Sequence, residues 1–88
     1  MKVVKRDGRI QDFDLNKIKT SISGAADDAN QPLNESDIGN LAKRIKGELE
    51  NLQKDTVSFD IIQEIVLDQL EKSGFNVLAK YYNLGKLE

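Results

Sequence analysis

Ile38, Leu41, Ile45, Leu49 and Leu52 follow one another at spacings of 3, 4, 4 and 3 residues, which places them on one face of an α-helix. Gly39 and Gly47 lie inside the same stretch, and each costs about 1 kcal/mol of helix propensity relative to alanine. Packing of the apolar stripe must therefore hold this helix, so the chain has to supply partners for it. Asn34 or Ser36 is its expected N-cap.

Three further segments carry helical spacing. Asp14 is placed to cap a helix with Leu15, Ile18, Ile22 and Ala25 or Ala26 on one face, and Gly24 weakens its last turn. Asp27 to Asn34, with Asn30 and Pro32, reads as a loop. Ser58 can cap a helix carrying Ile61, Ile62, Ile65, Val66, Leu67 and Leu70, which is apolar over much of its circumference and so belongs at the buried centre. Ser73-Gly74 stops it. Asn76 opens a fourth helix through Val77, Leu78, Ala79, Tyr81, Tyr82 and Leu84. Tyr81 and Tyr82 cannot both face the core.

The N-terminus reads differently. Val3, Val4, Ile10 and Phe13 are strand formers around Asp7-Gly8, a strong hairpin signal. A loop of Asp7-Gly8 alone would set Arg6 opposite Arg9, an unfavourable like-charge pair. Either the loop is longer or something negative belongs there. An isolated hairpin is only marginally stable and needs the helical core, and residues 56–57 could add a third strand. The expected fold is α/β in the α+β sense, a four-helix bundle capped by a two- or three-stranded sheet. Leu87-Glu88 reads as a cloning-junction scar behind a domain of residues 1–86.

Eighty-eight residues make one domain,. The chain has no cysteine and no histidine, which excludes disulfides, thiolate nucleophiles, Cys/His zinc sites and serine–histidine triads. No apolar run is long enough to span a bilayer and no signal stretch opens the chain, so a cytoplasmic protein without membrane attachment is expected. Residues 1–23 hold six basic against three acidic side chains, and the remainder holds seven against twelve. A positive end on an acidic body suits a small anionic ligand better than a nucleic acid.

None of the six glycines forms a P-loop or a G-x-G-x-x-G fingerprint. Asp27-Asp28 and Asp60/Glu64 are acidic pairs of the kind any solvated surface carries. Lys5-Arg6-Asp7-Gly8-Arg9 is more specific, because three cations around a tight turn can surround an anion, and arginine engages phosphate oxygens with paired hydrogen bonds. Lys17 lies where an anion would also meet free N–H groups of the first helix.

Val4-Lys5-Arg6-Asp7-Gly8, then Phe13, Lys17-Ile18, Ile61-x-x-x-Ile65-Val66 and Ala79-x-x-Tyr82 together resemble the ATP-cone domain across nearly the whole chain. That family is the regulatory nucleotide-binding module at the N-terminus of many ribonucleotide reductases, and of the transcriptional repressor of their genes, where it follows a zinc ribbon. The resemblance implies that ATP or dATP, with or without Mg2+, lies between hairpin and helices. Lys5, Arg6 and Lys17 would contact phosphates, Val4 and Ile18 the base or sugar, and Ser58 the neighbourhood of the adenine. Gln11 and Asp14 would add polar contacts, and Lys80 or Lys86 a further phosphate ligand. The absence of cysteine pairs favours the reductase type, a cone excised from a larger enzyme, whose partners would be the nucleotide, the parent's catalytic domain and, through the helices, a second copy. The site would be non-hydrolytic and allosteric. The rival readings are a helical protein-interaction module without a nucleotide, and a nucleic-acid-binding or repressor-type domain.

Overall fold

A computed structural model describes residues 1–82 of the chain. Its elements run β1 (Lys2–Val4), β2 (Ile10–Asp12), α1 (Leu15–Asp28), α2 (Glu35–Asn51), β3 (Thr56–Ser58), α3 (Phe59–Lys72) and α4 (Asn76–Tyr81). The fold is α+β, four helices with a small mixed sheet ordered β2-β1-β3. β1 is central, antiparallel to β2 with Val4 opposite Ile10, and parallel to β3 with Val4 opposite Ser58. The third strand anticipated at residues 56–57 therefore exists. Continuation of α4 to Leu84, Lys86 as a ligand, and the reading of Leu87-Glu88 lie outside the described residues.

The hairpin resolves the arginine conflict without any ligand. Lys5 donates its N–H to the Arg9 carbonyl, and the Gly8 N–H returns to the Lys5 carbonyl. The loop is thus Arg6-Asp7-Gly8, three residues with Gly8 at φ +88°, the left-handed position that glycine fills without steric cost. Asp7 turns back on Arg9, accepting from its backbone N–H at 3.0 Å and from its Nε. That backbone bond, followed by the guanidinium, holds the Asp7 carboxyl below the usual carboxylate range. Arg6 is left outside this pair.

Helix ends follow local chemistry. Asp14 caps α1 by accepting from the Asn16 N–H. Asn34, rather than Ser36, caps α2 in a reciprocal box with Asp37,. Ser58 caps α3. α1 runs two residues further than expected, to Asp28, because Asn30 at φ +57° closes it: the Asn30 N–H reaches the Asp27 carbonyl and the Gln31 N–H the Ala26 carbonyl, the paired bonds of a Schellman ending. Gly74 at φ +86° closes α3 in the same way through Glu71 and Leu70.

The core joins the stripes of all four helices. Ile18 and Ile22 of α1, Leu41, Ile45 and Leu49 of α2, Ile62, Val66 and Leu70 of α3 and Leu78 of α4 are fully enclosed. α1 and α3 each pack against both α2 and α4. Val57 brings the sheet into this core and Val3 and Phe13 pack on its border, and sheet residues share one cleft with the N-terminal ends of α1 and α3. Tyr82 is buried and Tyr81 is half exposed.

Candidate functional site

Where the sheet meets those two helix ends, a cleft remains open. The free space in and over it, open solvent included, is about 450 Å³. β1 contributes Val3, the hairpin stem Lys5, and β2 Gln11 and Asp12. Phe13 and Asp14 line the turn into α1, which adds Lys17 and Ile18, while α3 supplies Phe59 and Ile62.

Strand geometry explains the selection. Successive side chains point to opposite faces, so Val3 and Lys5 share one face, as does Gln11, which pairs with Val3. Val4 alternates to the other face and is not among the residues lining this cleft, whereas Val3 is. Ile18 and Ile62 are each 1% exposed and give the cleft a dry floor. Lys5 is half-buried and Lys17 exposed.

The charges at the rim are unevenly committed. Lys2 is paired with Asp12 across the strands, and this partnership holds the Asp12 carboxyl below its ordinary range. The ammonium groups of Lys5 and Lys17 have no hydrogen-bond or ion-pair partner among the described residues. Two uncommitted cations from separate elements thus border one apolar-floored opening, next to an uncommitted carboxamide on Gln11. The arrangement suits an anion bearing an apolar, hydrogen-bonding body.

Backbone N–H groups at the start of α1 contribute less than the sequence suggests. Asp14 takes the Asn16 N–H with its side chain, and the Lys17 N–H goes to the Asp14 carbonyl at 3.2 Å. Two of the first-turn donors, the Asn16 and Lys17 N–H groups, are thus already engaged. Ser58 likewise commits its hydroxyl to the Ile61 N–H at 3.4 Å and does not line the cleft.

Arg6 stands at the cleft's edge in a way no sequence pattern announced. Its guanidinium carbon lies 4.7 Å over the centroid of the Phe59 ring. Of the residues singled out in the sequence, Lys5, Gln11, Asp14, Lys17 and Ile18 are brought together in the cleft wall, Arg6 joins through Phe59, and Val4 and Ser58 stay behind it as paired residues of β1 and β3. Val3, Asp12, Phe13, Phe59 and Ile62 also line the cleft and were not among the candidate site residues. Val3 was legible from strand alternation once Lys5 was chosen.

No group of three or more acidic side chains set to hold a metal ion occurs among the described residues. No helix among them is long and apolar enough to cross a membrane. Comparison with curated proteins found no match. The family model of the ATP cone domain matches residues 1–87, essentially the whole chain, and the chain belongs to that family. ATP-cone domains are regulatory and not catalytic: they bind ATP or dATP and act allosterically.

Proposed function

We propose that this ATP-cone chain senses ATP or dATP in the cleft between sheet and helices and transmits occupancy to an attached enzyme. The observation that carries the reading is the pair of ammonium groups, Lys5 and Lys17, without a partner among the described residues, beside the floor of Ile18 and Ile62. In this reading Lys5, Arg6 and Lys17 hold the phosphates, and Val3 and Ile18 take the base or sugar. Gln11 and Asp14 offer hydrogen bonds to its polar edges. Val4 and Ser58 serve from behind, through the β1–β3 pairing and the cap of α3. Any Mg2+ would arrive with the triphosphate.

The parent would be a ribonucleotide reductase in the cytoplasm, its catalytic domain the partner that reads the signal. Such a module acts only through differential affinity, whereby the nucleotide stabilises the arrangement it binds best and shifts the enzyme toward it by about 1–3 kcal/mol. Hydrolysis would destroy the signal, and phosphoryl transfer needs a positioned metal and a water-orienting group.

Thermal melting tests the reading. ATP or dATP at 100 times its dissociation constant stabilises a fold by about 2.7 kcal/mol, which raises Tm by many degrees in so small a domain, while GTP does less. Unchanged melting in millimolar adenine nucleotide contradicts it. Phosphate release abolished by Lys5→Ala would require an enzyme instead.

A further inference from the structure

Arg6 and Asp7 are neighbours at the hairpin tip, yet Asp7 neutralises Arg9 and not Arg6. The Arg6 guanidinium has no carboxylate among the described residues; its contact is the Phe59 ring, 4.7 Å away. Phe59 is 3% exposed and is the first residue of α3. Its ring also lines the cleft.

The difference between a carboxylate and a ring as partner is decisive for what Arg6 can do next. A carboxylate binds the in-plane N–H groups, the same donors a phosphate needs. A ring attracts the cation through its π face by quadrupole electrostatics and competes for none of those bonds. A guanidinium over Phe59 is therefore restrained on a long side chain that would otherwise sample many rotamers, with its donor edge still available.

We propose that Phe59 is a positioning residue: it holds Arg6 over the cleft mouth, pre-set to receive an anion's oxygens. This rests on the nucleotide reading of the cleft and adds a residue to it.

Titration calorimetry with ATP and with adenosine, on the whole chain, separates positioning from direct contact. Phe59→Leu should weaken ATP about three- to tenfold and leave adenosine, which lacks phosphates, unchanged. Arg6→Ala added to Phe59→Leu should cost less than Arg6→Ala alone. Replacing Phe59 by 3,4,5-trifluorophenylalanine keeps the shape of the ring and weakens its negative face, so ATP affinity should fall here too. In the ligand-free chain, the Arg6 side-chain resonances should carry a ring-current shift that Phe59→Leu removes. Equal losses for ATP and adenosine, full affinity after fluorination, or no ring-current shift each overturn the proposal. Failure of the unsubstituted chain to bind ATP at all overturns the nucleotide reading itself, and the ring-current shift then still reports whether the stack forms.

Discussion

Arg9, Lys2 and Arg6 are all cations of the β1–β2 ribbon, and their partners divide them. Arg9 is engaged by Asp7 and Lys2 by Asp12, so neither is available at low cost, whereas Lys5, Lys17 and Arg6 have no acidic partner among the described residues. Charge-assisted bonds to phosphate contribute about 1.5–3 kcal/mol each. Arg6→Ala, Lys5→Ala and Lys17→Ala should each weaken ATP by one to two orders of magnitude in calorimetric titration, with Arg9→Ala and Lys19→Ala nearly silent. Equal losses at all five would indicate diffuse electrostatics without a defined site. A second residue-scale prediction concerns Tyr82. Burial pushes its phenol up to about 12 from 10.0, opposed in part by Ser21 on α1, and its Oη makes no hydrogen bond of full geometry. A raised folded pKa means the protonated phenol is favoured in the fold. That contribution, about 2–3 kcal/mol for two units, is complete below pH 10 and is lost as pH climbs toward 12. Urea unfolding of Tyr82→Phe should lack this alkaline loss when set against the parent chain, and at pH 7 the variant should be no less stable.

At the scale of elements, termini show what local chemistry decides. Asn34 completes the box that starts α2 while Ser36 sits inside the first turn. Asn34→Ala should cost about 1 kcal/mol in chemical denaturation, and Ser36→Ala under about 0.5 kcal/mol. Gln53, just past the other end of α2, is held at φ +53°, where a side chain is strained. Gln53→Gly should stabilise by about 0.5–1 kcal/mol, and a loss would mean its side chain has a role the backbone does not explain. These features differ in how readable they were. Asp14 and Ser58 announced themselves as caps because an N-cap needs one oxygen two or three residues away. The true end of α1 was hidden, since Asn30 could end a helix or sit in a loop and only the Ala26 and Asp27 carbonyls decide. The three-residue hairpin loop was left open for the same reason: Asp7-Gly8 fits two loop lengths, and the Asp7–Arg9 bonds select the longer one.

For the whole molecule, the legible part was what periodicity encodes: four apolar stripes, the sheet at the N-terminus, and a cation-bearing hairpin laid against them. Contacts between elements distant in sequence were not legible. Lys5 and Lys17 could each be picked out as cations, but their shared border on one cleft depends on how the sheet sits over α1. The Arg6–Phe59 stack links residues whose spacing carries no pattern. In the proposed function this cleft, and no other surface, takes the adenine nucleotide. Amide chemical-shift mapping with ATP tests it most directly. Saturable shifts are expected at Val3, Lys5, Gln11, Lys17, Ile18, Phe59 and Ile62, with the outer face of α2 around Lys43 and Lys46 unmoved. Shifts centred on α2, or no shifts at millimolar ATP in a folded chain, would contradict it.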